Sequence, residues 1–117
     1  MSEVKILHNP RCSKSRQTLK ILHDLGIEPH IIEYLKTPIS AQTLQLIVKQ
    51  LGFSSARQLI RKGEDAYKQQ NLADLTLTED TLINAMLVSP KLIERPVVVF
   101  NGKAAIGRPP ESILDIL

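Results

Sequence analysis

The strongest constraint on the fold is a β-hairpin signal near the end of the chain. Val97–Phe100 form a continuous apolar run, and Lys103–Ile106 return after the dipeptide Asn101-Gly102. Asn-Gly strongly favours a two-residue hairpin turn, so we expect two antiparallel strands here. Pro109-Pro110 then predicts the first turn of a final short helix, where the missing proline N–H is tolerated.

The start of the chain predicts a strand, a helix and a second strand. Residues 3–8 show a short alternating pattern, and apolar residues recur at helical spacing from Ser13 to Leu25, with Gly26 placed as the C-cap. Residues 29–34 are rich in β-branched and aromatic types. The helical connection suits a right-handed crossover, so the two strands are expected to be parallel.

The middle of the chain is predicted to be helical. One helix begins at Ser40, a shorter one covers Ala56 to Arg61, Thr78 caps a third, and Ser89-Pro90 suggests a further turn. Together these patterns predict one α/β domain over 1–117, a thioredoxin-like mixed sheet of about four strands with a helical insertion at about 40–92.

Composition narrows the class of protein. A chain of 117 residues with 43% hydrophobic residues can fill one core. Only 3% of its residues are aromatic and none is tryptophan, so the chain lacks the usual side chains on which nucleic-acid bases stack. No apolar stretch approaches a membrane span, and the N-terminus lacks a secretion signal. A single cysteine fits a reducing compartment. We expect a cytoplasmic protein that binds neither membrane nor nucleic acid.

The single cysteine, Cys12, is the candidate nucleophile. It lies between the first strand and the first helix, where unpaired N–H groups and the helix dipole stabilise a thiolate and attract an anion. His8 and Ser15 are potential partners of the sulfur. Three basic residues are also close in sequence: Arg11, Lys14 and Arg16.

Alternative interpretations of these residues remain open. A free cysteine is often a small buried hydrophobic residue, although the basic and hydroxyl neighbours of Cys12 favour a reactive thiol. His8 could equally be a half-buried strand residue bonded to backbone. Ser15 stands where a Cys-x-x-Cys motif has its second cysteine, so an external thiol must resolve any oxidised product.

Two arginines differ from ordinary surface residues. Arg95 and Arg108 each precede a proline, at either end of the predicted hairpin, which restricts their backbones to extended geometry. Arginines held in this way suit bidentate recognition of an oxyanion. No histidines or carboxylates have metal-ligand spacing, so no metal is expected.

Four segments together resemble the glutaredoxin-coupled arsenate reductase family. Their order and spacing cover nearly the whole chain. They are His8-Asn9-Pro10-Arg11-Cys12-Ser13-Lys14-Ser15, Arg61-Lys62-Gly63-Glu64, Ile93-Glu94-Arg95-Pro96 and Gly107-Arg108-Pro109-Pro110-Glu111.

The resemblance implies a reaction. In that family a thiolate attacks arsenate, glutathione adds as co-substrate, and glutaredoxin reduces the adduct as arsenite leaves; no cofactor is tightly bound. It implies Cys12 as nucleophile, His8 and Ser15 as its activators, and a cis bond before Pro96. The implied oxyanion-binding residues are Arg61, Arg95 and Arg108.

Two other functions remain compatible with this architecture. The chain could be another glutathione-linked thiol oxidoreductase, which would share Cys12 but not the role of the arginines. It could also be a non-enzymatic transcription regulator of the Spx type. Such regulators typically carry Cys-x-x-Cys where this chain has Cys12-Ser13-Lys14-Ser15.

Overall fold

The computed structural model describes residues 3–117, and the contacts among them define two compact units. One unit contains residues 3–37 and 95–117, and the other contains residues 38–94. Residues 1–2, which belong to the segment expected to lack a secretion signal, lie outside the described residues.

The first unit is built on a four-stranded sheet. Its regular elements are β1 Lys5–Leu7, α1 Ser13–Asp24, β2 His30–Ile32, β3 Val97–Phe100 and β4 Lys103–Ile106. The strand order is β2-β1-β3-β4, with β1 parallel to β2 and antiparallel to β3. The predicted thioredoxin-like mixed sheet is therefore confirmed, with β1 and β2 shorter than expected.

The predicted hairpin is formed by β3 and β4. Val97 pairs with Ile106 and Phe100 with Lys103, so the turn contains only Asn101 and Gly102. Both turn residues have positive φ, 53° and 78°, as a two-residue type I′ turn requires. The turn chemistry of these two residues thus fixes the register of the strands.

The core of this unit lies between the sheet, α1 and the C-terminal segment. Leu22 of α1 and Ile113 near the C-terminus are fully buried with Ile6 and Val98 of the sheet. The expected final helix is a 3-10 helix over Pro110–Ile116, in which the N–H of Ser112 bonds the carbonyl three residues earlier.

Gly107 marks a close approach between β4 and α1. A Cβ atom at this position would overlap the Thr18 side chain and lie 2.8 Å from Cγ of Pro96. The Gly107 N–H also donates to the Pro96 carbonyl at 2.9 Å. Only glycine lets the chain pass here, directly before Arg108.

The second unit is helical. Its elements are α2 Ala41–Gln50, a 3-10 turn Ala56–Leu59, α3 Asp65–Gln69, α4 Glu79–Val88 and a 3-10 turn Pro90–Leu92. Thr78 caps α4 as predicted, and Ser40, where a helix was predicted to begin, is the N-cap of α2; each side chain accepts a hydrogen bond from the backbone N–H three positions later. Across residues 3–117, no helix is both long and apolar enough to cross a membrane.

The prediction of a helix from Ala56 to Arg61 is wrong in both the type and the length of the helix. The segment is a 3-10 turn that ends at Leu59. Ile60 instead forms an antiparallel bridge with Ile93, and the Arg61 N–H donates to a carbonyl beside that bridge. Pairing with a distant segment takes the place of the last helical turn.

Candidate active site

Cys12 is the N-cap residue of α1. Its backbone is extended, with φ −93° and ψ 124°, and its N–H donates to the Asn9 carbonyl at 3.0 Å. The Asn9 side chain accepts the Arg11 N–H at 3.0 Å, which closes a tight turn between strand and helix. This turn places the thiol at the positive end of the helix, as predicted from the sequence.

The surroundings of Cys12 favour its thiolate form. Partial burial raises the pKa of the Cys12 thiol, but hydrogen bonds from the Ser15 backbone, the Arg95 side chain and the Lys14 backbone outweigh it. The positive charge of Arg95 acts in the same direction, so the net pKa lies below its ordinary value. A larger fraction of the thiol is therefore ionised near neutral pH.

Arg108 contacts the same sulfur from the far end of the hairpin. Its Nη2 lies 3.6 Å from Cys12 Sγ, and its Nε donates to the Arg95 carbonyl at 2.8 Å. The bond before Pro96 is cis, as the resemblance implies, and a second cis bond joins Arg108 to Pro109. The structure thus gathers Cys12, Arg95 and Arg108 at one place.

His8 and Ser15 form a buried, hydrogen-bonded pair. His8 Nδ1 lies 2.6 Å from Ser15 Oγ, which also accepts the Asn9 N–H at 3.0 Å. Burial lowers the pKa of His8, Glu33 raises it and Arg16 lowers it further, with a net decrease. His8 is only 6% exposed and its neutral form is favoured, which suits a fixed partner of Ser15.

Arg61, the third predicted oxyanion-binding arginine, belongs to the helical unit. Its Nη1 donates to Glu64 at 3.2 Å, and its Nε lies 3.5 Å from a carboxylate oxygen of Glu94. Neither carboxylate was predicted from the sequence as a partner of Arg61. The three-residue spacing of Glu64 was a usable signal, whereas nothing local in the sequence points to Glu94. The role of Arg61 stays a prediction.

This site contains the groups that nucleophilic attack on an anionic substrate requires. A thiol of lowered pKa supplies the attacking electron pair, and two guanidinium groups can stabilise the negative charge of a bound oxyanion. No group of three or more His, Cys, Asp or Glu side chains within residues 3–117 is placed to hold a metal ion.

Comparisons with known proteins agree on one family. The model of the ArsC family matches residues 7–116. A relative from Escherichia coli K12 named "Uncharacterized protein YfgD" is 58% identical over 115 residues, covering 98% of this chain and 97% of that protein. An arsenate reductase of Neisseria meningitidis serogroup A is 46% identical over 117 residues and covers both chains fully.

The solved structures give the same result for the fold. A structure described as arsenate reductase from Vibrio cholerae superposes with a TM-score of 0.96 at 50% identity, covering 98% of each chain. The similarity therefore extends over both compact units of the chain.

Proposed function

This chain belongs to the ArsC family, and on that premise we propose that it is an arsenate reductase that depends on glutathione and glutaredoxin. The observation that carries the proposal is the Cys12 thiol, whose pKa is lowered and which lies beside Arg95 and Arg108. Relatives with the name arsenate reductase support the choice of arsenate as the oxyanion.

In the first step, the Cys12 thiolate attacks arsenic and an oxygen of arsenate leaves as water after protonation. A bond forms between sulfur and arsenic(V), with no change in oxidation state. Arg95 and Arg108 bind the oxygens that carry the negative charge, and Arg61 is proposed to contribute a third guanidinium. His8 and Ser15 are proposed to activate Cys12 by holding the turn that carries it, a role that their mutual hydrogen bond and the Asn9 N–H bond to Ser15 support.

Reduction then requires two electrons from thiols outside this chain. Glutathione displaces a second oxygen from arsenic, and glutaredoxin attacks the glutathione sulfur, so that arsenic(V) becomes arsenic(III) as a disulfide forms. Hydrolysis releases arsenite and restores the Cys12 thiol. Because the chain has a single cysteine, it cannot form this disulfide internally. The requirement for these thiols also makes a reducing cytoplasm the proposed location.

The proposal is tested by NADPH consumption with purified protein, arsenate, glutathione, glutaredoxin and glutathione reductase. We expect turnover that requires arsenate and disappears in Cys12→Ser. Omitting glutaredoxin should reduce the rate strongly if it is the physiological reductant. NADPH consumption that does not depend on arsenate, together with turnover of a glutathione mixed disulfide, would contradict the proposal that arsenate is the substrate.

A further inference from the structure

The end of β4 packs closely against α1 at Gly107. A Cβ atom at this position would overlap Oγ1 of Thr18, lie 2.8 Å from Cγ of Pro96 and lie 3.2 Å from Cγ2 of Thr18. Carbon atoms in contact are normally about 3.5–4.0 Å apart, so a methyl group here would displace at least one of these neighbours.

Thr18 is a rigid neighbour of Gly107. It is fully buried, and its Oγ1 donates to the Lys14 carbonyl at 2.8 Å within the same helix. A β-branched side chain in a helix has few χ1 rotamers, and this hydrogen bond selects one of them. The segment that carries Gly107 would therefore have to move away from α1, because Thr18 cannot easily make room.

Arg108 follows Gly107 directly, and two hydrogen bonds connect this segment to the start of β3. The Gly107 N–H donates to the Pro96 carbonyl at 2.9 Å, and Arg108 Nε donates to the Arg95 carbonyl at 2.8 Å. The Arg95 carbonyl belongs to the peptide group that precedes Pro96, the residue whose ring would contact the new Cβ. A methyl group at position 107 would therefore displace both the backbone of Arg108 and the carbonyl that anchors its guanidinium group.

The contact that depends on this packing is the one between Arg108 and Cys12. Arg108 Nη2 lies 3.6 Å from the Cys12 sulfur. Cys12 is the N-cap of α1, the helix that also carries Thr18, and all these residues belong to the unit that contains the sheet. The fit of Gly107 against α1 thus helps to place the guanidinium group relative to the sulfur.

We propose that Gly107 is a positioning residue, which sets the distance between the Arg108 guanidinium group and the Cys12 sulfur and thereby the affinity of the site for an oxyanion. This inference rests on the proposed function, in which Arg108 binds the oxyanion. The competing effect is the flexibility of the Arg108 side chain, which can compensate for a shift of its backbone. Compensation is incomplete because the anchoring carbonyl moves as well, so Arg108 must be ordered anew each time an anion binds.

The first experiment measures the position of Arg108 without any substrate. In ¹⁵N NMR spectra of the reduced protein at mildly acidic pH, the Arg108 Nε–H should exchange with water more slowly than that of the exposed Arg11, because it donates to the Arg95 carbonyl. Gly107→Ala should accelerate this exchange. Exchange at the wild-type rate in Gly107→Ala would overturn the claim that Gly107 positions Arg108, whatever the substrate.

The second experiment measures oxyanion binding with sulfate, which a thiol does not reduce under these conditions. Well below the Tm of the variant, Gly107→Ala should raise the Kd for sulfate by about twofold to tenfold, the scale for ordering one flexible side chain on binding. Gly26→Ala is the matched control, because it strains a backbone with φ of 77° but adds no contact within 4 Å. Its Kd should equal that of the wild type. An unchanged Kd in Gly107→Ala, or an equal increase in both variants, would overturn the inference.

Two double variants test whether the effect passes through Arg108. Adding Gly107→Ala to Arg108→Ala should weaken sulfate binding no further than Arg108→Ala alone. Adding Thr18→Ala to Gly107→Ala should recover part of the affinity, because it removes Oγ1 and Cγ2 while the contact with Pro96 remains. A further loss in the first double variant, or no recovery in the second, would overturn the inference. Sulfate binding that follows this pattern in a protein without arsenate turnover would refute the proposed substrate and leave the positioning role intact.

Discussion

The hydroxyl group of Ser15 holds together the turn that carries the proposed nucleophile. Ser15 is fully buried, and its Oγ bonds both His8 Nδ1 at 2.6 Å and the Asn9 N–H at 3.0 Å. Ser15→Ala removes both hydrogen bonds and leaves two polar groups without partners. Each such loss costs about 1–2 kcal/mol, so we expect the free energy of unfolding to fall by about 2–4 kcal/mol.

For a chain of 117 residues, this loss corresponds to a decrease in Tm of about 8–16 °C, measured by thermal unfolding followed by circular dichroism. Ser13→Ala is the matched control, because Ser13 lies exposed in the same helical turn. It should change stability by less than about 0.5 kcal/mol. Equal decreases in Tm for the two variants would refute the role assigned to the hydroxyl of Ser15.

The same variant separates the effect of the Ser15 hydroxyl on the pKa of Cys12 from the effect of the Ser15 backbone. The pKa of the Cys12 thiol is lowered through the Ser15 backbone hydrogen bond, which Ser15→Ala retains. Well below the Tm of the variant, the pH midpoint of Cys12 alkylation by iodoacetamide should therefore stay close to that of the wild type. A large rise in that midpoint would show that the hydroxyl activates the thiol directly.

Three further predictions concern the packing and electrostatics of the site. Gly107→Ala should lower the free energy of unfolding by about 1–3 kcal/mol in chemical denaturation, since its Cβ would overlap side chains, whereas Gly63→Ala meets nothing within 4 Å. Arg95→Ala should move the pH midpoint of Cys12 alkylation upward, because it removes a hydrogen bond and a positive charge that lower this pKa. Burial lowers the pKa of His8 in the folded protein below 6.5. As pH falls, the unfolded chain therefore takes up a proton at His8 before the folded protein does, and the free energy of unfolding should fall as pH drops through about 6.5. His8→Gln should weaken this pH dependence, measured as Tm against pH.

The sheet was predictable because its signals are local. Asn101-Gly102 specifies a turn with positive φ at both residues, a conformation that few residue types adopt readily. The apolar runs on either side specify the two strands. The position of Cys12 was predictable for a similar reason, since a strand, a turn at Asn9-Pro10 and a helix follow one another directly. In both cases, neighbouring residues contain the physical determinants.

The features that escaped prediction depend on contacts distant in sequence. Ile60 pairs with Ile93, which shortens the helix expected from Ala56 to Arg61. Glu94 likewise meets Arg61 from 33 positions away in the sequence. One local contact also differed: the hydroxyl of Ser15 was expected to bond the thiol, whereas in the structure it bonds the nearby residues His8 and Asn9. The catalytic roles of His8 and Ser15 stay predictions.

The central claim is that Cys12 reduces arsenate with electrons from external thiols, and direct measurement of arsenite tests it most simply. Arsenate, glutathione and glutaredoxin are incubated with wild-type protein or Cys12→Ser, and arsenite is separated from arsenate and quantified. We predict more moles of arsenite than of wild-type protein, and none above background for Cys12→Ser. Arsenite formation at equal rates by both proteins, or by neither, would contradict the account.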